Sequence, residues 1–141
     1  MLRKNLRAIM IRIILLGKVV PKARPRFSPR GHVHMPPKYT EWKQEAVITL
    51  RGLTHIVSSK VSLQITFVNA LRGNADCDNA AGAIMDALVE SGVLSGDSVA
   101  TIPELIARSY KEKKPKIKPQ TLIEISDNCE VNIDKIREFL V

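Results

Sequence analysis

The sequence predicts one α+β domain, a mixed β-sheet flanked by two or three helices. Three observations carry this. A chain of 141 residues is long enough for one core, burying roughly 65–70% of the unfolded surface. With 45% hydrophobic but only 4% aromatic residues, that core must come from Ile, Leu, Val and Ala in a globular chain. Stretches of period-two and period-3.6 hydrophobicity follow one another with no repeat and no linker between them, so residues 1–141 read as a single domain.

Residues 9–17 form the first strand, rich in β-branched side chains. The opening "MLRKNLRAIMIRIILLG" also has the basic-then-apolar look of a signal peptide, but "KVVPKARPR" follows it and offers no small-residue cleavage site. The apolar run is too short for a bilayer and is interrupted by Arg12. A strand is the expectation, in a cytoplasmic protein with no membrane partner. Residues 18–38 hold five of the eight prolines, which predicts an extended loop. It carries Lys18, Lys22, Arg24, Arg26, Arg30 and Lys38 and no acid. Thr40 can cap a helix over 41–51, where Trp42, Ala46 and Leu50 share a face and Gly52 supplies the stop.

In residues 61–69, Val61, Leu63, Ile65 and Phe67 alternate with polar positions, as in a half-buried strand. A loop over 70–77 leads to a helix of about 79–91, with Asp78 as its N-cap. Residues 99–112 and 119–127 read as two more strands, with "KEKKPKIKP" at the connection tip. Pro103 places the first of that pair at an edge or bulge. Residues 128–141 end in a short helix, 132–140, with Ile133, Ile136 and Leu140 on one face.

The net charge is 22 − 14 = +8, which attracts polyanions and makes binding depend on salt. Nucleic acid is the first candidate partner and an anionic membrane surface the second; a solvated basic surface with no partner is the less favoured, bland reading. The two cysteines, Cys77 and Cys129, are too few and too far apart for a disulfide framework or a structural zinc site, and are expected to be reduced thiols.

Against this basic background, residues 74–97 gather Asp76, Asp78, Asp86 and Asp97. A 100° rotation per residue places Asn79, Gly82, Asp86 and Glu90 on one polar arc of the 79–91 helix, opposite an apolar side. In the bland reading Asp78 caps, Asp86 is solvated and the others are loop acids. An EF-hand beginning at Asn74 fails, because Asn79 and Met85 stand where Gly and Glu are needed. A phosphatase-type Asp-x-Asp-x-Thr/Val fails at Ala80. A metal-dependent nuclease fits better: carboxylates hold Mg²⁺ against the charge developing in phosphodiester hydrolysis, and the basic surface brings in the anionic backbone.

The segment "DCDNAAGAIMDAL" followed by "SGVLSGD" resembles the RusA family of Holliday junction resolvases. That family has Asp-x-Asp-Asn, a Lys four residues past the second Asp, an Asp-Ala-Leu in the same helix, then Gly and an Asp-Asp pair. Asp76, Asp78, Asn79, Asp86, Ala87, Leu88, Gly92 and Asp97 sit in register with it. "GKVVPKARPRF" is similar to the family's Gly-x-x-x-x-Lys-x-Arg-Pro-Arg opening, and the resemblance spans roughly residues 10–127.

The resemblance implies that Asp76, Asp78 and Asp97 are catalytic and metal-binding, with Asp86 in support, and that the cofactor is Mg²⁺ or Mn²⁺. It implies a homodimer that nicks opposed strands of four-way junction DNA, in recombination and repair. Two positions depart from the pattern: Gly82 stands for the family's helix lysine, and Gly96 for the first acid of the Asp-Asp pair. Arg24, Arg26, Lys111 or a residue of a second subunit are candidates to replace the lysine. A glycine in mid-helix also costs about 1 kcal/mol against alanine.

Lys22, Arg24, Arg26, Arg30, Lys111, Lys113 and Lys114 are the expected DNA contacts. His32 and His34 lack a third ligand and read as loop or DNA-facing residues. Tyr39 and Trp42 could stack on unpaired bases, though Trp42 also suits the core. The competing function is a junction- or nucleic-acid-binding protein with a degenerate site, motivated by Gly82. An RNA-binding, translation-associated domain rests on charge alone and leaves the spacing of the acids unexplained.

Overall fold

The computed structural model describes residues 9–22, 26–53, 57, 60–127 and 131–141, excluding the side chains of Ile9, Met10 and Arg26. Its centre is a mixed four-stranded sheet of β1 (Ile9–Leu16), β4 (Val61–Val68), β5 (Glu104–Tyr110) and β6 (Gln120–Asp127), in the order β1-β6-β4-β5. β6 runs antiparallel to both β1 and β4, and β5 is parallel to β4. It follows that β1, β4 and β5 point the same way and β6 alone points back. Their carboxyl ends therefore share one edge of the sheet.

The register explains the core. Ile13, Ile123, Ile65 and Ala107 form one row across all four strands. Leu63 and Ile125 extend this buried face, which packs on α1 (Pro37–Arg51) and α2 (Cys77–Glu90) through Ala46, Val47, Leu50, Ala80, Ile84 and Leu88. The aliphatic composition suits this: β-branched side chains pack on the pleat, and alanines let α2 lie close. The alternate positions face away, where Arg12 pairs with its cross-strand neighbour Glu124 at 3.2 Å. The strand expected at 61–69 is thus present, and Trp42 packs partly buried against the core.

Several expectations need correction. The basic loop 18–38 is not extended throughout: Arg26–Phe27 (β2) and Val33–His34 (β3) pair as a small hairpin, with Gly31 at φ +81 in its turn. Helix α1 starts at Pro37, not after Thr40. Proline is suited to that position, since its φ is helical and its missing N–H would have had no partner. Helix α2 starts at Cys77 with Asp76 in the N-cap position, and no side chain caps it; Asp78 lies in its first turn.

The strand expected over 99–112 is confined to 104–110. Before it the chain turns, with the N–H groups of Thr101 and Ile102 both donating to Ser98 O. Pro103 immediately precedes β5, which is indeed an edge strand. The C-terminal helix is shorter than expected, one turn at Ile133–Ile136 (α3) and a 3₁₀ turn at 137–139, and its apolar residues are exposed.

The largest difference concerns 111–119. β5 and β6 do not pair, because β4 lies between them, so this tract crosses the end of β4 rather than tipping a hairpin. Its one acid organises it. Glu112 Oε1 accepts from the N–H groups of Lys116 (3.2 Å) and Ile117 (3.1 Å) and from Asn69 Nδ2 (2.9 Å). Asn69 returns the contact by accepting from Glu112 N–H at 2.8 Å. Asn69 ends β4 at φ 52, a left-handed conformation that asparagine tolerates better than most residues.

The Asn69 amide, then the Ile117 N–H, hold the Glu112 carboxyl below its ordinary value of 4.5. A carboxyl lowered by folding contributes stability above its unfolded value, and that contribution is lost as pH falls through the folded one. Glu112→Gln is therefore expected to lower the melting temperature at pH 7, with the gap to wild type closing in acid below the ordinary carboxylate range. Thermal unfolding across that range checks it; a gap independent of pH would contradict the ionised hub.

Candidate functional site

The three parallel carboxyl ends bring three loops together: 17–22 after β1, 69–76 after β4 and 111–119 after β5. They are laced by backbone bonds, Gly17 N–H to Pro119 O (2.8 Å), Val19 N–H to Ala70 O (3.0 Å) and Asn69 N–H to Tyr110 O (2.8 Å). From the middle loop the chain passes directly into α2. Asp76 and Asp78 thus stand at a helix N-terminus beyond the carboxyl end of a parallel strand, where ligands of open α/β sheets commonly bind. The helix dipole stabilises negative charge there by about 0.3–1 kcal/mol per group. Both side chains are exposed. Asp76 accepts from Asn79 Nδ2 at 3.1 Å.

Asp86 has a different role. Tyr39 OH donates to its Oδ2 at 2.6 Å, and Lys22 Nζ lies 3.1 Å from Oδ2 and 3.3 Å from Oδ1. Its carboxylate therefore joins α2 to α1 and to the loop after β1. A second rung, Lys43 to Glu90 at 3.0 Å, lies four residues further along both helices, so the two helices run the same way at this contact. Lys43 Nζ also sits 5.5 Å from the centre of the Tyr39 ring. Burial first, then the hydrogen bond and charge of Asp86, push the Tyr39 hydroxyl far above its ordinary value. It stays protonated and donating. At 1% exposure its ring cannot stack on a base, which overturns that expectation for Tyr39.

Lys22 is placed by its backbone as well. Its N–H donates to Asn79 O at 3.0 Å, and its side chain then runs along the polar face of α2. A Cβ added at Gly82 would meet Lys22 Cδ at 3.7 Å. The residue that crosses the glycine and delivers an ammonium to this face is therefore Lys22, which was expected among the DNA contacts and not as the stand-in cation. Helical projection finds the space at 82; no periodicity marks a loop lysine that reaches it from another element.

The other expected residues divide as follows. Asp97 is exposed in the α2–β5 connection. Among the described residues no group of three or more His, Cys, Asp or Glu could hold a metal, so Asp76, Asp78 and Asp97 are not drawn into a three-ligand cluster. The donor chemistry nevertheless suits Mg²⁺, a hard cation that keeps several waters and uses one or two carboxylates plus substrate phosphate. Exposed oxygens at Asp76 and Asp78 meet that description.

Arg30, His32 and His34 are exposed on the β2–β3 hairpin, and Lys111, Lys113 and Lys114 on the crossover loop. Arg24, Cys129 and the side chain of Arg26 lie outside the described residues. Cys77 is a free, exposed thiol. No helix among the described residues is long and apolar enough to cross a membrane.

Residues 17–125 match the family model described as Endodeoxyribonuclease RusA. The chain is also similar to the crossover junction endodeoxyribonuclease RusA of Aquifex aeolicus (strain VF5). The two are 27% identical over 115 residues, covering 77% of this chain and 91% of that relative.

Two stability measurements probe the geometry. Tyr39→Phe removes a donor to a charged acceptor and is expected to cost about 2 kcal/mol in denaturant unfolding; a neutral result would mean the hydroxyl does not hold Asp86. Gly82→Ala adds a Cβ at ordinary contact distance in a helix interior, and is expected to gain about 1 kcal/mol. A loss there would show that Lys22 packs closer to α2 than described.

Proposed function

The chain belongs to the RusA endodeoxyribonuclease family, and on that premise we propose that it is a Mg²⁺- or Mn²⁺-dependent endonuclease that resolves four-way DNA junctions. It does so as a cytoplasmic homodimer, through paired symmetric nicks, in recombination and repair. The observation that carries the reading is the exposed pair Asp76 and Asp78, opening a helix where three parallel strands end and basic loops surround them. A two-fold dimer also matches the symmetry of the substrate.

In this reading Asp76 and Asp78 hold the cation, with Asp97 completing the set when DNA is bound. A Mg²⁺ or Mn²⁺ ion held there would supply charge stabilisation to the phosphorus centre, the attacking water and the leaving oxygen. The chain's own residues do the rest. Basic side chains of the hairpin and crossover loop bind phosphates and fix the register of the strand. Asp86 acts through others, holding Lys22 against α2 so that its ammonium lies on the same helix face as the site. There it offsets charge on the scissile phosphate.

The competing reading, a junction-binding protein that does not cut, draws its support from Gly82. The ammonium that Lys22 carries across that glycine supports the enzyme instead.

The test is a nicking assay with Mg²⁺ on a synthetic four-way junction and a matched linear duplex. Wild type is expected to place paired nicks in the junction, and Asp78→Asn to lose them with binding retained. Tight junction binding without a metal-dependent cut would favour the non-enzyme. A second series concerns the cation. Lys22→Ala is expected to lower the nicking rate on the order of 10²-fold, and Gly82→Lys to restore much of it in that background while adding little to wild type. A large gain from Gly82→Lys alone would show that Lys22 does not substitute.

A further inference from the structure

We propose that the cleft between the loops 17–22, 69–76 and 111–119 is a subsite for one unstacked deoxynucleotide, seating the base on its floor and the phosphates on its rim. The proposal rests on the endonuclease reading and names the part of the DNA that the site takes in.

The cleft has a volume of about 480 Å³, within the range of sites that enclose small molecules. Its floor is apolar: Val19, Ala70 and Leu71 are buried, and Val20 and Ala75 beside them are partly so. Its rim is cationic. Lys18, Lys38, Arg72 and Lys111 line it, and no acid does. An apolar floor under a ring of cations fits a flat, weakly polar group linked to anionic ones, as in a nucleotide.

Lys111 reaches over the loop at Gly73, where an added Cβ would meet its Nζ at an ordinary contact distance of 3.6 Å. The walls are also built in advance, because backbone bonds and the Asn69–Glu112 exchange hold the three loops together. Little ordering remains to oppose binding.

Position supplies the link to chemistry. Asn74 and Ala75 line the cleft, and Asp76 is the next residue. A nucleotide seated there would leave its phosphodiester at the acids that open α2. A base stacked within a duplex cannot enter the cleft without being extruded, and extrusion is least costly where pairing or stacking is already weakened. At the exchange point of a four-way junction the continuous stack of linear duplex is interrupted, so extruding a nucleotide costs less there than within a duplex arm. The cleft would thus contribute to selecting the junction over linear duplex, in addition to the surface cations.

The experiment is a ¹H–¹⁵N titration of the full chain with the dinucleotide pTpT, without divalent metal. It is repeated on Val20→Trp, which fills the floor, and on Lys111→Glu, which reverses charge at the exposed rim and leaves the floor intact. Saturable shifts at Val20, Leu71 and Ala75 are expected, with affinity at least about tenfold weaker in both variants. If Val20→Trp does not fold, Lys111→Glu and the map of shifts decide.

Shifts confined to the Arg30 hairpin, or unchanged affinity in a folded variant, would overturn the proposal. So would the same shifts arising from protein concentration alone, since a second copy would then fill the cleft. The titration needs neither metal nor cleavage. Junction nicking without cleft binding would count against the subsite alone, and cleft binding without nicking against the endonuclease reading.

Discussion

The parallel pairing of β4 with β5 is the constraint on which the rest depends. Parallel neighbours cannot be joined by a tight turn, so the chain must leave the end of β4 and return along a helix. That helix is α2, and its first residues necessarily stand over the carboxyl end of the strand. Because β6 pairs antiparallel with both β1 and β4, β1 delivers its own basic loop to the same edge, and β5 delivers the crossover tract. One topological choice therefore gathers acids, cations and an apolar cleft at one end of the sheet.

Three aspartates on one segment show how position separates roles. Asp76 and Asp78 are exposed at the positive end of a helix dipole, and Asp76 accepts from Asn79. Asp86 is two turns further on, and its carboxylate is taken up by a buried phenol and an ammonium. The first two stay open to solvent, and the third holds the protein together. Asp86 also links function to folding, since it ties the loop carrying Lys22 to both helices. A substitution there would disturb the position of a cation near the site and the docking of α1 on α2 together.

Much of this was legible in the sequence, for physical reasons. Alternation in 61–69 and the alanine-rich stripe of 80–88 report burial directly, so β4, α2 and the polar arc of α2 are where periodicity places them. The Asp-x-Asp-Asn segment was legible through its resemblance to the RusA pattern, and the family match covers it. What failed was whatever depends on contacts distant in sequence. Strand order is not encoded in local pattern, so nothing in the strands expected at 99–112 and 119–127 shows that β4 lies between them. Glu112 looked like a stray acid in a basic tract, because its partner, Asn69, is far away in the chain. The start of α1 was misplaced because proline suggests a loop unless the chain beyond it is known to be helical. The packing of Lys22 along α2 was not legible, since nothing local marks a side chain that crosses to another element.

The central claim is that the residues opening α2 form a divalent-cation site for phosphodiester chemistry. The most direct measurement is a Mn²⁺ titration of the ¹⁵N-labelled full chain, followed by paramagnetic broadening of backbone amides. Saturable broadening centred on Asp76 to Asn79, displaced by excess Mg²⁺ and abolished in Asp78→Asn, is the predicted result. Broadening centred elsewhere, or unchanged by Asp78→Asn, would contradict the account.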